Sequence, residues 1–249
     1  MIKSIFIITF LFLSLQSPAA WNQSVSAGYR SVPQGQNLQG TVAFDQLLWG
    51  EVNRESPLYG YLRAGIKAGG APTVAAFLQV APLAPLIIEV QKGATYRYTP
   101  SQIFDCKNVF CYGVIECMDV STKLVFGHGR FVGYGSYLWR SVSLPESSNP
   151  VLAEIELVSA SPGTHAYNEY SIAAGIKFED DFAGLIYSSG VFSEGKKRSD
   201  SAYAIYNWKL NDFDLSFGAG TYHTDESEVS GSGVIFAISK KFGESLSLF

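Results

Sequence analysis

Cys106, Cys111 and Cys117 fall within one short stretch, DCKNVFCYGVIEC. Thiols that close can oxidise to a disulfide in an oxidising compartment, or hold a soft metal ion together with histidine. A metal site wants CxxC-type spacing and a matched histidine. No CxxC occurs, and His128 is well separated. Neither a metal nor a cofactor is therefore expected, and the disulfide is the favoured chemistry. Cys106–Cys111 is the preferred pair, since a four-residue spacer in a loop can bring the Cα atoms to the required ~4–7 Å. Cys106–Cys117 across a hairpin is its competitor.

The other reactive candidates are weaker. His128, His165 and His223 are followed by Gly-Arg, Ala-Tyr and Thr-Asp, so none carries a serine two residues on. Each histidine reads as a turn or loop residue, and no catalytic residue is expected. The glycine-rich run Gly127-His128-Gly129-Arg130 would need a strand-to-helix context to cradle phosphate. No helical periodicity follows it, so it reads as a turn. Lys196-Lys197-Arg198 is a basic run in a polar connection: a solvated loop tip, or a contact for anionic lipid headgroups.

The segments that would position these residues alternate with period two. In 201–210, Ala202, Ala204, Tyr206, Trp208 and Leu210 occupy one parity. Ser201, Tyr203, Ile205, Asn207 and Lys209 occupy the other. Side chains on a strand point alternately to opposite faces, so each such segment has an apolar face and a polar one. The polar face repeatedly carries full charges: Arg30, Arg63, Lys67, Arg97, Lys123, Lys177 and Lys209. Twelve strands are expected, near 22–33, 41–52, 58–68, 73–81, 86–98, 111–126, 131–143, 165–178, 182–192, 201–210, 213–223 and 231–249. Ten or fourteen remain open, because 151–159 (VLAEIELVS) could form a strand of its own. Connections at 53–57, 82–85, 127–130, 179–181 and 211–212 are short, whereas those at 99–110, 144–164, 193–200 and 224–230 are longer and polar.

Composition limits the class. Of 249 residues, 47% are hydrophobic and only 16% charged, which argues against disorder. The net charge of −4, with no basic patch, gives no case for nucleic acid. Residues 1–20 read as a signal peptide: Lys3, an apolar run from Ile5 to Leu15, then a small-residue zone with cleavage after Ala19 or Ala20. Residues 21–249 then form a single exported domain. Its most apolar later stretch, 73–90, contains Pro82, Pro85 and Glu89 and cannot be one spanning helix.

In hydrocarbon every backbone donor and acceptor needs a protein partner, and a sheet achieves this only by closing on itself. The alternation therefore predicts an all-β, antiparallel, up-and-down transmembrane barrel. Tyr206 and Trp208 beside one short turn, and Phe178 and Phe182 beside another, are expected in an aromatic girdle. The export signal, the dyad strands and the terminal Phe249 resemble bacterial outer-membrane β-barrel proteins. The resemblance implies an outer-membrane location, contact with membrane lipid and lipopolysaccharide, and engagement of the barrel-assembly machinery through Phe249. Phe249 departs from that pattern, because the apolar residues Val234, Phe236, Ile238 and Phe242 share the parity of Leu248 instead. Either a bulge resets the register, or the last strand ends near Phe242. The expected function is a narrow pore or a structural and surface-interaction barrel without catalysis. Two alternatives stand beside it: a barrel lipid hydrolase, whose resemblance would call for a His-x-Ser pair, and a soluble exported β-sandwich that binds a ligand.

Overall fold

The computed structural model describes residues 19–30, 35–52, 58–69, 73–98, 112–144, 151–153, 158–160, 163–179, 181–193, 198–225 and 229–242. Residues 1–18 of the expected signal peptide 1–20, and Cys106, Cys111, Lys196, Lys197 and Phe249, lie outside these residues.

The strands are β1 (Ala19–Arg30), β2 (Gly35–Trp49), β3 (Gly60–Gly69), β4 (Thr73–Leu83), β5 (Leu86–Tyr98), β6 (Tyr112–His128) and β7 (Phe131–Leu144). They continue as β8 (Val151–Ala153), β9 (Val158–Ala160), β10 (Gly163–Phe178), β11 (Asp181–Phe192), β12 (Arg198–Leu210), β13 (Phe213–Thr224) and β14 (Val229–Phe242). Twelve of them close into one antiparallel barrel in the order β1-β14-β13-β12-β11-β10-β7-β6-β5-β4-β3-β2. The segment 151–159 adds no stave: β8 and β9 pair with each other in a separate two-stranded sheet. One closed sheet also replaces the soluble sandwich, which would need two sheets meeting face to face.

The two ends of the barrel differ. At the turn end, Ala84-Pro85, Gly129-Arg130 and Asn211-Asp212 join their strands with two residues each, and β1 begins and β14 ends there. Gly129 and Asn211 hold the left-handed backbone that such tight reversals require. At the loop end, the connections include 99–111 and 145–162. Two irregularities interrupt an otherwise regular ladder, at Leu47/Trp49 and at Val80/Leu83, both near the turn end. The ring is closed by β1 against β14, from Gln23–Phe242 to Arg30–Ile235.

The burial is inverted relative to a water-soluble protein. Leu185 is 67% exposed, Tyr170 64%, Val74 60% and Ile66 56%, whereas Asp45 is 0% exposed and Asn22 3%. Directly paired residues on neighbouring strands share a face, so the register carries this division around the whole ring. Charged groups almost never bury fully without partners, and here the buried side is the enclosed one.

Candidate functional site

The enclosed face divides into two unlike halves. The half formed by β2 to β7 and β10 is filled with long polar side chains. Asp45 on β2 pairs directly with Arg63 on β3. Their Oδ1 and Nε atoms stand 3.4 Å apart, an ion pair without hydrogen-bond geometry. Arg63 Nη2 donates to Asn22 Oδ1 of β1 at 2.6 Å. One turn of the wall higher, Lys67 donates to Glu89 Oε1 at 2.7 Å and to Gln91 Oε1 at 2.8 Å, with its ammonium 4.6 Å from the Phe77 ring centre. Arg140 grips Asp119 in a two-pronged bond, 2.8 and 2.9 Å. Glu169 accepts from the Tyr167 and Ser171 hydroxyls, each at 2.9 Å. Three acid–base pairs thus stand along this half, and the hydrogen-bonded ones, Lys67 with Glu89 and Arg140 with Asp119, satisfy groups that would otherwise be costly to bury.

Two apolar clusters bracket these pairs. Leu47, Tyr59, Tyr61, Ala81, Ala84 and Ile87 pack at the turn end. Val142, Leu144, Tyr167 and Phe192 pack at the loop end with Ile115 and Leu138. His165 stacks near Phe192 in the second cluster.

The half formed by β11 to β14 and β1 intersperses small residues with large ones, among them Phe182 and Ile186 on β11, Tyr203, Ile205, Asn207 and Lys209 on β12, Tyr222 on β13 and Ile235 on β14. Its enclosed parity carries Gly184, Ser188 and Gly190 on β11, Gly218 and Gly220 on β13, and Gly231, Gly233 and Ala237 on β14. Ser24, Ser26 and Gly28 continue it on β1. The aromatic rings here lie against the wall. A methyl group at Gly190 would run into the Tyr167 ring, and one at Gly220 would meet Tyr203. Glycine allows each ring to fold flat on the neighbouring strand instead of standing out across the interior. Gly190→Val is accordingly expected to lower stability by about 1–3 kcal/mol through overpacking, read as a shift in the urea midpoint of the folded barrel.

The sequence-expected residues distribute as follows. Arg63, Lys67 and Lys123 are on the enclosed face, as are Lys177 and Lys209, which are exposed at its turn-end mouth. Lys123 sits 4.4 Å from the Tyr134 ring centre. Arg30 and Arg97 are strand residues whose side chains lie outside the described set. Phe178, Tyr206 and Trp208 are on the outer face, 48%, 43% and 47% exposed, and the Tyr206 hydroxyl donates to Asp181 Oδ2 at 2.6 Å.

Phe182 requires a correction. It pairs with Lys177 on the enclosed face, and its ring covers Gly175 and Gly184. The expected turn at 179–181 is one residue shorter: Phe178 pairs with Asp181, and Glu179 takes a left-handed φ of 54°. Shortening a turn by one residue turns the next side chain to the opposite face.

Cys117 is a free, half-buried thiol on the enclosed face beside Asp119 and Arg140. His128 and His223 are exposed at the two rims, His223 with Asp225 at 3.5 Å. Sequence reasoning missed Asp45, Asp119 and Arg140, although the parity signal for each was present. On the outer face at the loop end, Arg198 bonds Asp200 (2.8 Å) and the Tyr187 hydroxyl (3.4 Å).

No protein-family model and no curated protein matches the chain. Solved structures do. An outer-membrane channel from Pseudomonas putida F1 is 9% identical with a TM-score of 0.48, over 91% of this chain and 96% of that one. The β-domain of the Bordetella autotransporter BrkA is 10% identical at 0.44, over 91% and 100%. The NanC porin is 8% identical at 0.45, over 88% and 100%. All three scores are low, and the class is carried by the closed ring and its inverted burial. Those features make this chain a twelve-stranded barrel of the kind that bacterial outer-membrane β-barrel proteins share.

Proposed function

We propose that the chain is an integral outer-membrane pore that passes small polar solutes along the half of its interior formed by β11 to β14 and β1, where glycines are spaced among larger side chains, without catalysis. One observation supports this most: the Tyr167 ring lies over Gly190 and Tyr203 packs against Gly220, so each sits over a glycine of a neighbouring strand. Barrels of about eight strands are filled by their own side chains, and those of 16–18 leave a wide channel. Twelve strands, with glycines spaced along one half of the lining, fit a narrow bore between these limits. In the membrane, the turn end faces the periplasm and the loop end the cell exterior. Outer-leaflet phosphates would then meet the rim that carries Arg198.

Purified protein inserted into a planar bilayer is expected to give discrete openings at neutral pH. Unheated protein in detergent should also migrate faster on a gel than heated protein. Barrel-like migration with no openings above background leaves a structural or surface-interaction role and removes the pore.

A further inference from the structure

The outer face of the barrel is not apolar all the way round. On β11 to β14 its mid-strand residues include Leu185, Ala204, Phe217 and Phe236. The charged groups on that side, Arg198, Asp200 and Lys240, stand near strand ends.

Strand β5 departs from this. Lys92 is its central residue, with six residues on either side. Glu89 and Gln91 point inward, where both hold Lys67, so Lys92 points outward. It pairs with Ala76 on β4 and with Met118 on β6, itself 42% exposed. Along β5, Ile88 and Val90 flank it toward the turn end, and Ala94 and Tyr96 toward the loop end. Lys92 is exposed, and among the described residues no hydrogen bond, ion pair or ring contact holds it.

A carboxylate stands one diagonal step away. Glu116 is exposed on the same face of β6 and pairs with Ala94, the next outward residue after Lys92 on β5. Such diagonal neighbours lie about 7–8 Å apart, within reach of long side chains. Among the described residues, however, no ion pair joins the two. Hydrocarbon supplies no counter-ion, so an ionisable group facing it at mid-strand is costly and marks a functional contact. The short side chains of Ala76 and Ala94 beside the charge let another wall approach closely. One cation and one anion on adjacent strands also make the patch complementary to itself. A two-fold axis along the membrane normal keeps the loop ends of two copies on the same side and sets each cation against the other's anion.

We propose that the outer face of β4 to β6 around Lys92 and Glu116 is a membrane-buried interface between two copies of this chain, with Lys92 of each copy paired to Glu116 of the other. Such a dimer requires the barrel to lie in a membrane but does not require an open pore.

The test uses the full-length protein in phosphatidylcholine vesicles, treated with a membrane-permeant carbodiimide that joins amine to carboxylate without a spacer. A dimer band is expected, containing a linked Lys92–Glu116 peptide that the monomer band lacks. Energy transfer between donor- and acceptor-labelled barrels, followed as lipid dilutes the protein, reads the association itself. Lys92→Glu opposes two pairs of like charge and should weaken association by about tenfold or more. The exchanged variant, Lys92→Glu with Glu116→Lys, should restore it. Lys92→Met removes the charge alone and should also weaken association. Heat-modifiable migration shows that each variant has folded. A wild type that is monomeric at every dilution overturns the interface. So does a linked peptide confined to the monomer band, or an association that Lys92→Glu and Lys92→Met leave unchanged. None of these readouts depends on channel openings, so a closed barrel overturns the pore and leaves the interface standing.

Discussion

Leu185→Arg is expected to destabilise the folded barrel by about 2–4 kcal/mol in phospholipid vesicles, the cost of a cation near the bilayer midplane. Leu185 lies mid-strand on β11, paired with Ala174 and Ala204, and is 67% exposed. In a water-soluble protein so open a position would tolerate arginine to within about 0.5 kcal/mol. The companion variant is Phe131→Arg, at the turn-end rim of β7. Phe131 is 65% exposed, almost the same as Leu185, but the expected cost at that depth is about 0–1 kcal/mol. Urea titrations of both variants separate lipid contact from mere exposure. Equal small effects would mean that the outer face meets water.

The second large effect is interior. Arg63→Met should cost about 3–5 kcal/mol, because it leaves the fully buried Asp45 carboxylate without its cation. Its bond to Asn22 is lost as well. Adding Asp45→Leu to the same chain should restore most of the loss, since replacing both members of a buried pair with apolar groups is often neutral. The double variant would retain the barrel, measured by heat-modifiable migration and the urea midpoint. A double variant no more stable than Arg63→Met would show that Asp45 contributes through other contacts.

The strand pattern was legible because the period of two survives in any environment that has an inside and an outside. Alternation located twelve staves and put Tyr206 and Trp208 on one face, Lys209 on the other. Turn length was less legible. Nothing in Phe178-Glu179-Asp180-Asp181-Phe182 says whether two or three residues reverse the chain, and that choice decides where Phe182 points. The stretch at 151–159 shows the converse: its residues favour a strand, but two short strands suffice to pair with each other outside the ring. Pairings such as Asp45 with Arg63 and Asp119 with Arg140 needed the inter-strand register, which no local window contains. Asp45 also sits between Ala43 and Leu47 on one parity, so the polar lining is broken where it meets the apolar cluster at the turn end. The flat packing of Tyr167 on Gly190 is three-dimensional information of the same sort.

The join between β1 and β14 makes partners of the first and last staves of the ring, with Gln23 against Phe242. Until the last stave is delivered, every earlier one belongs to an unfinished sheet with bare backbone along both margins, a state prone to stick to other chains. Folding of this molecule therefore cannot be settled stepwise during synthesis. Loss of the final strand would leave the ring open along two bare margins, forfeiting the whole vessel rather than a twelfth of it.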